Sequence, residues 1–193
     1  MISVKEIIFQ IVTEYLKLFS NEGNKLNIFI EYLNKHEYQE MVDWNNFDGH
    51  ITAGGFVYAK KEKKFLVMYH KDLKMFLYPG GHMDKEDSNP LEAAKREVFE
   101  ETGLSNPKVN YVCDNELVPL DIDIHVAKYN ERLNLPSHYH FDFRYLFSLE
   151  EITDVSLDLE EHSTYKWISE EELSNEPHYG AIIKKIDWLK DKK

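Results

Sequence analysis

The chain has 193 residues, of which 42% are hydrophobic and 13% aromatic, enough to form a sizeable core. Its net charge of −12 argues against nonspecific binding to nucleic acid or anionic membranes, whereas a divalent cation can still bring a small anionic substrate to an acidic protein. The sequence has no long apolar run, which predicts a protein without a membrane span. It shows no secretory signal pattern, and its single cysteine, Cys113, fits a reducing compartment, so the protein is predicted to be cytoplasmic.

The N-terminal part is predicted to be a helical extension. An apolar stripe over residues 3–20, which opens with a capping box from Ser3 to Glu6, predicts an amphipathic helix, and a second helix is predicted over 26–42. Either this pair packs on the main domain or on a second copy of the chain, which leaves a homodimer open, or it acts as a lid or specificity element. The predicted domains are therefore an extension, 1–48, and a main domain, 49–193.

From residue 49 onward the pattern indicates strands mixed with helices. Seven β-type runs are predicted as strands: 51–59, 65–70, 75–78, 108–117, 121–129, 138–148 and 163–168. Three further helices are predicted at 90–102, 169–175 and 178–191. Pro79, Gly80 and Gly81 predict a turn. This order has too few strand–helix alternations for a doubly wound parallel sheet, and it predicts an α+β fold.

The helix predicted at 90–102 concentrates negative charge on one side. On a helical wheel Glu97, Glu100 and Glu101 fall on one arc of roughly 100°, and Glu101 borders the apolar stripe. Arg96 is the one basic residue placed to pair with them, and it does not balance three carboxylates. Clustered, partly desolvated carboxylates are costly unless a hard divalent cation such as Mg²⁺ neutralises them. The alternative is an ordinary solvated acidic face.

The string around these glutamates resembles a known family motif. Residues 81–104 read GHMDKEDSNPLEAAKREVFEETGL, which closely resembles the Nudix box, G-x5-E-x7-R-E-U-x-E-E-x-G-U, where U is a bulky aliphatic residue. Gly81 matches the first glycine. The second half matches in register at Arg96, Glu97, Val98, Glu100, Glu101, Gly103 and Leu104. The resemblance covers roughly residues 50–175 and leaves the N-terminal helices outside.

Two departures from the box lie in the loop before the helix. The loop has one additional residue ahead of Asn89, which a loop absorbs at little cost. The first glutamate of the box is absent, since counting from Gly81 gives Asp87 and counting back from Arg96 gives Ser88. Asp87 is a shorter carboxylate that can serve at this position, and its individual role stays open.

The resemblance implies the Nudix α/β/α sandwich with a mixed sheet. It also implies Mg²⁺-dependent hydrolysis of the diphosphate linkage in a nucleoside diphosphate joined to another moiety X. Carried over by position, Glu97, Glu100 and Glu101 bind Mg²⁺ or Mn²⁺, the Gly81 carbonyl adds a ligand, and Arg96 orients the glutamates. The alternative is a non-catalytic Nudix domain that senses a nucleotide ligand or binds a partner, although such domains usually lose the glutamates retained here. Nucleotide sugars, ADP-ribose, dinucleoside polyphosphates and damaged nucleoside triphosphates all stay open as substrates.

A second polar group is predicted on two later strands. In HYHFDFRY, residues 138–145, polar and aromatic residues alternate, and DIDIH, residues 121–125, alternates in the same way. If the two segments pair as a hairpin through 130–136, a register in which paired residue numbers sum to 265 sets His125 against His140 and Asp123 against Asp142. The facing pattern forbids a one-residue slip but leaves a two-residue slip open.

This polar face is either an ordinary wet sheet surface, or a substrate pocket wall or second metal-binding group. The candidate substrate contacts are His125, His138, His140, Asp142 and Arg144. A separate zinc site is disfavoured because the sequence has no tight His/Cys spacing with a clear fourth ligand.

Two further carboxylates, Glu160 and Glu161, precede the strand that ends near Trp167. The resemblance implies that either one of the glutamates Glu97, Glu100 and Glu101 or a loop carboxylate in this part of the fold helps to deprotonate water, without fixing which one. The alternative is a solvated pair. Glu161 is included among the candidate substrate-site residues.

Overall fold

The computed structural model describes residues 2–129, 135–176 and 179–192, and its elements follow the predicted α+β order. The helices are α1 (Val4–Leu18), α2 (Gly23–Lys35), α3 (Tyr38–Met41), α4 (Pro90–Thr102), α5 (Glu170–Asn175) and α6 (Gly180–Asp191), with a 3-10 turn at Ser20–Glu22. The strands are β1 (Gly49–Ala59), β2 (Lys64–His70), β3 (Met75–Leu77), β4 (Gly80–His82), β5 (Lys108–Val109), β6 (Asp121–Ala127), β7 (His138–Leu149) and β8 (His162–Ser169). Within these ranges no helix is both long enough and apolar enough to cross a bilayer.

The strands form one mixed sheet around β1 and β7. These two strands run parallel along the whole of β1, from Gly49 to Ala59. All other pairings are antiparallel: β1 with β2 and β4, β2 with β3 and β8, and β7 with β5 and β6. Helix α4 contacts β1, β4 and β7, while α5 contacts β2, β8 and α6. The predicted mixed sheet with helices is thus confirmed.

Helix α4 begins and ends where the sequence predicted. Asn89 caps it by accepting hydrogen bonds from the backbone N–H groups of Leu91 and Glu92, and Pro90 occupies the first turn. Gly103 ends it in the left-handed conformation, with φ of 68°. These local signals fix where the helix begins and ends, and its period then places Glu97, Glu100 and Glu101 on one side.

Three predicted elements were wrong in part: the strand at 108–117, the turn at Pro79–Gly81 and the helix at 26–42. The strand predicted at 108–117 is only the two-residue β5, Lys108–Val109. Farther along, Asn115 accepts a hydrogen bond from the backbone N–H of Leu117, a local bond typical of a turn. Two of the three residues predicted as a turn at Pro79–Gly81 belong to β4 instead, where Gly80 pairs with Gly54 of β1.

The helix predicted at 26–42 is interrupted at His36, where the backbone becomes extended. The first residues of the predicted 178–191 helix fall partly outside the described residues, and α6 begins at Gly180. The middle of the predicted hairpin loop, residues 130–134, also lies outside them.

The N-terminal helices pack on the sheet of the same chain. Phe29 of α2 stacks on Phe141 of β7 with ring centroids 4.6 Å apart, and the Tyr32 hydroxyl donates to the Gly49 carbonyl at 2.7 Å. The Tyr38 hydroxyl of α3 donates to the carbonyl of Asp84, which belongs to the loop before α4. The extension therefore joins the main core, as one of the sequence alternatives predicted. The division at residue 48 stays a prediction.

Candidate active site

The carboxylates of α4 lie against the glycines of β4. Glu101 accepts a hydrogen bond from the backbone N–H of Gly80 at 2.8 Å. The Glu97 carboxylate lies so close to Gly81 that an added Cβ would be 2.6 Å from its oxygen. Only a residue without a side chain leaves Glu97 in this position. The structure thus brings the predicted residues Gly81, Glu97 and Glu101 together.

Arg96 connects these glutamates to the loop before the helix. Its Nη1 donates to Glu97 at 2.8 Å and to Glu100 at 2.9 Å. Its Nε and Nη2 donate to the two carboxylate oxygens of Asp87 at 3.3 and 2.9 Å, and Nη2 also donates to the His82 carbonyl. Asp87 is buried, and this bidentate ion pair holds Arg96 in place, a role that the sequence left open.

Two of the three glutamates lie where negative charge is disfavoured. Burial raises the pKa of Glu101 to about 9, although the hydrogen bond from Gly80 opposes this shift. Burial also raises the pKa of Glu97 to about 7, against the effect of Arg96. A divalent cation would reverse these shifts because it stabilises ionised carboxylates. The oxygen-rich donor set therefore fits a hard cation such as Mg²⁺ or Mn²⁺.

The start of β8 adds two side chains to this site. Glu161 and His162 each place a possible ligand atom within 4.8 Å of Glu101 and of each other. His162 is buried, its Nε2 lies 3.7 Å from Glu101, and its Nδ1 has no hydrogen-bond partner among the described residues. Burial lowers the pKa of His162 to about 4, so its ring is neutral at pH 7. The sequence indicated Glu161 but missed His162, for which adjacency to Glu161 was the available signal.

Strands β6 and β7 pair in the predicted register. Asp123 lies opposite Asp142 and His125 opposite His140, which confirms the pairing by residue numbers that sum to 265. His125 is partly exposed, and its Nδ1 lies 3.1 Å from Asp123. Paired side chains share one face of a sheet. The predicted polar face is therefore continuous across the two strands.

Arg144 is held inside this face by the chain's own acidic residues. Its Nε donates to Asp142 at 2.9 Å and to the Tyr78 hydroxyl at 3.0 Å, and its Nη2 donates to Asp123 at 2.8 Å. The Tyr78 hydroxyl donates to Asp142 in turn. Asp121, near Nη1 of Arg144, continues the network to Lys185 of α6. Arg144 and Asp142 are thus buried and paired with each other, and their roles as substrate contacts stay predictions.

Four histidine rings gather at the other end of the polar face. His50, His82, His138 and His140 each offer a ring nitrogen, and these atoms lie within 4.8 Å of one another. Burial, together with repulsion between the rings, lowers the pKa of His50 to about 4 and that of His82 to about 3. The sequence indicated His138 and His140 but missed the other two, which arrive on β1 and β4. Glu161, by contrast, lies near Glu101. The predicted substrate contacts are therefore divided between the polar face of β6 and β7 and the carboxylates of α4.

Comparison with known proteins gives one family. A family model described as a NUDIX domain matches residues 48–189. A protein of Lactococcus lactis subsp. cremoris, named a probable DHNTP pyrophosphohydrolase, is 35% identical over 127 residues, which cover 66% of this chain and 70% of that protein.

Solved structures resemble the fold. A binary complex of the Caenorhabditis elegans Ap4A hydrolase matches with a TM-score of 0.56 and 19% identity, over 74% of this chain and 98% of that one. The Escherichia coli dihydroneopterin triphosphate pyrophosphohydrolase matches with a TM-score of 0.55 and 15% identity, over 72% and 92%. At these identities the likeness concerns the fold alone, and it confirms the predicted sandwich.

Proposed function

This chain belongs to the Nudix family, and we propose that it hydrolyses a phosphoanhydride bond of a small triphosphate substrate with Mg²⁺ or Mn²⁺ bound at α4. At the level of the family, the chain is a Nudix pyrophosphohydrolase. One observation carries the proposal: Glu97 and Glu101 converge on the glycines of β4, and burial raises their pKa values although Arg96 and the Gly80 N–H oppose the shift, so a bound cation would stabilise their ionised form. No observation on the described residues favours the non-catalytic alternative.

The residues that would hold the cation are Glu97, Glu100 and Glu101 of α4, with the Gly81 carbonyl as a further ligand. When bound, the cation neutralises phosphate oxygens and lowers the pKa of a water molecule. Arg96, fixed by Asp87 and by the His82 carbonyl, orients the carboxylates of Glu97 and Glu100.

Glu161 is the proposed acceptor for the proton of the attacking water. Its carboxylate is exposed, and a ligand atom of it lies within 4.8 Å of Glu101. The neutral, buried ring of His162 lines the same place and offers Nδ1 to a further polar group. Proton transfer to a positioned side chain contributes about 10²- to 10⁴-fold to a rate.

The proposed first substrate is dihydroneopterin triphosphate. The support is the name of the lactococcal relative, which is 35% identical to this chain. The sequence predicted a diphosphate linkage in a nucleoside diphosphate joined to X, and a pterin triphosphate contains the same kind of bond. Nucleotide sugars, ADP-ribose, dinucleoside polyphosphates and nucleoside triphosphates belong in the same panel as competitors.

The experiment is to measure release of pyrophosphate and phosphate from this panel with Mg²⁺ or Mn²⁺. We expect the wild type to act on the pterin triphosphate and Glu101→Gln to be slower by at least about 100-fold, since cation stabilisation of the transition state is worth several kcal/mol. Glu92→Gln is the matched control, because Glu92 lies on the same helix and pairs with Lys95 at the surface.

Two results would count against this proposal. Unchanged turnover by Glu101→Gln would mean that the cation is held elsewhere. Absence of turnover with every substrate, while one of them raises the melting temperature, would indicate the non-catalytic alternative.

We further propose that residues 1–48 are an extension to a catalytic domain of 49–193, and that the protein acts in the cytoplasm without a nucleic-acid partner. The family match beginning at residue 48 supports the division, and the charge of −12 and the single cysteine support the rest. Sedimentation analysis would decide between a monomer and a homodimer.

A further inference from the structure

We propose that His50, His82, His138 and His140 form a second metal site, separate from the carboxylates of α4. The site would take a late first-row transition metal ion, and Zn²⁺ in the first instance. This proposal does not rest on the proposed hydrolytic function, since metal binding here is measured without any substrate.

Strand pairing brings the four rings to one face of the sheet. His50 of β1 lies beside His140 in the parallel pairing with β7, and His138 is two residues earlier on the same face. His82 of β4 lies opposite Thr52, two residues along β1 from His50. The ring centroids of His50 and His138 are 4.5 Å apart, and those of His82 and His140 are 5.1 Å apart.

The ring nitrogens are already close to the spacing of metal ligands. One nitrogen of each ring lies within 4.8 Å of those of the other three, and Nε2 of His138 and Nε2 of His140 are 3.0 Å apart. In a tetrahedral zinc site with Zn–N bonds of about 2.0–2.1 Å, ligand nitrogens are about 3.3 Å apart. Small side-chain rotations therefore close the group around one ion without movement of the strands.

Hydrogen bonding prepares at least one ring for a metal. A carbonyl oxygen only accepts, so the 2.7 Å contact with Pro136 fixes the proton of His138 on Nδ1. Its Nε2 then carries a lone pair that points into the group and, without a metal, accepts a hydrogen bond from Nε2 of His140 at 3.0 Å. A ring N–H donated to a backbone carbonyl is the usual support behind a metal-binding histidine.

Two of the other three rings contain polar atoms without a well-formed hydrogen bond in the described part of the chain. His50 is 2% exposed, and neither of its ring nitrogens makes a hydrogen bond of standard geometry, although the backbone of Asp43 and Trp44 lies nearby. Nε2 of His82 is also buried without one. A buried polar atom without a partner costs about 1–3 kcal/mol, and few occur in folded proteins. A bound ion would take the lone pair of one nitrogen from each of these two rings.

The ligand set selects the class of metal. The group consists of imidazoles, with no carboxylate or thiolate in it. Imidazole suits zinc, copper, nickel and iron, whereas Mg²⁺ and Ca²⁺ prefer oxygen ligands. The two sites would therefore bind different cations from the same solution.

Strand β4 connects the two sites. The backbone of His82 accepts a hydrogen bond from Arg96, while its neighbours Gly80 and Gly81 contact Glu101 and Glu97. An ion bound to the ring of His82 would thus stabilise β4, the strand that the carboxylates of Glu97 and Glu101 contact.

The test uses the full-length, metal-free protein and two probes, ZnCl₂ and CoCl₂. Zinc affinity is measured by competition with a chromogenic chelator, and the coordination geometry by the visible absorption of tetrahedral Co²⁺. We expect His140→Gln to weaken zinc binding by at least about 100-fold, since removing even the partner behind a metal ligand costs about 10- to 100-fold. His36→Gln, which changes a buried histidine outside the group, should bind as the wild type does.

A third variant separates the two sites. Glu101→Gln removes a carboxylate of α4 and should retain both zinc binding and the tetrahedral cobalt spectrum. If circular dichroism shows that His140→Gln does not fold, His138→Gln takes its place. The proposal is overturned if the wild type binds no zinc, or if folded histidine variants bind zinc as tightly as the wild type does, whatever the result for Glu101→Gln.

Discussion

Asp87 holds Arg96 with both of its carboxylate oxygens, and Arg96 in turn holds Glu97 and Glu100. The ion pair joins the loop before α4 to the acidic side of the helix. We therefore expect Asp87 to affect the chemistry through Arg96, as a positioning residue rather than a catalytic one.

Removing the charge of Asp87 should therefore impair catalysis while the glutamates remain. We expect Asp87→Asn to lower kcat/KM by about 10- to 100-fold, as substitutions behind metal ligands commonly do. Asp87→Glu, which restores the residue type of the Nudix box, should recover much of the loss. Asp84→Asn is the control, because Asp84 is half-exposed and 3.6 Å from Arg96. Equal losses in Asp87→Asn and Asp87→Glu would show that the site needs the shape of aspartate rather than its charge.

Gly81 and Gly54 should separate function from stability. A Cβ at Gly81 would meet the end of the flexible Glu97 side chain, so Gly81→Ala should displace that carboxylate, raise the Mg²⁺ concentration needed for activity and change the melting temperature little. A Cβ at Gly54 would lie 2.5 Å from the backbone carbonyl of Pro79, so Gly54→Ala should lower the free energy of unfolding by about 1–3 kcal/mol. Activity and denaturation are measured on both variants, and a stability loss of the same size in both would contradict the prediction.

Between pH 7 and 9 the metal-free protein should become less stable as the pH rises. Burial raises the pKa of Glu101 to about 9, so the folded state keeps a proton that the unfolded chain, with a glutamate pKa of about 4.3, has already lost. Stability then falls with pH until the folded-state pKa is passed, by at most about 1.4 kcal/mol per pH unit for one group. Below pH 7 the lowered pKa values of buried histidines such as His50 and His162 act in the opposite direction.

Urea denaturation at pH 7, 8 and 9 in the presence of EDTA measures this slope. Glu101→Gln should flatten it, and Mg²⁺ should also flatten it because cation binding favours the ionised carboxylate. The same slope in wild type and Glu101→Gln would place the titrating group elsewhere.

Local signals made α4 and the β6–β7 register predictable. Asn89, Pro90 and Gly103 mark the two ends of the helix within the sequence itself, and the helical period then places Glu97 beside Glu101. Strict alternation left few registers open between β6 and β7. In both cases the determining residues lie within one element or one hairpin.

The histidine group could not be predicted in the same way. His50 and His140 are ninety positions apart, and they meet only because β1 pairs in parallel with β7. His82 joins them because two glycines allow β4 to lie against β1, where the sequence indicated a turn. His162 reaches Glu101 through the pairing of β8 with β2, which no local pattern specifies.

The N-terminal extension should be essential to the stability of the fold. Phe29 is fully buried against Phe141, so Phe29→Ala should lower the free energy of unfolding by about 3–5 kcal/mol. Ile28→Ala is the matched control, since Ile28 is its neighbour on α2 and is exposed. Chemical denaturation measures both. A loss below about 1 kcal/mol in Phe29→Ala would mean that the extension packs loosely in solution.

Arg144 offers a test between a structural role and a substrate contact. It is buried among Asp142, Asp123 and Asp121, and removal of one partner from a buried ion pair costs about 3–5 kcal/mol. Arg144→Met should therefore lower stability by that order, because the acidic residues lose their counter-charge. Asp123→Asn should restore part of the loss in the double variant, since it removes one uncompensated charge.

The kinetics of the same variants show whether Arg144 also contacts the substrate. If Arg144 acts only through the network, the double variant that regains stability should also regain kcat/KM. If Arg144 contacts the phosphates, KM stays high in the double variant although the protein is folded, because no second mutation replaces the lost cation. Measuring KM and the denaturation midpoint side by side thus distinguishes the two roles for a residue that is both buried and charged.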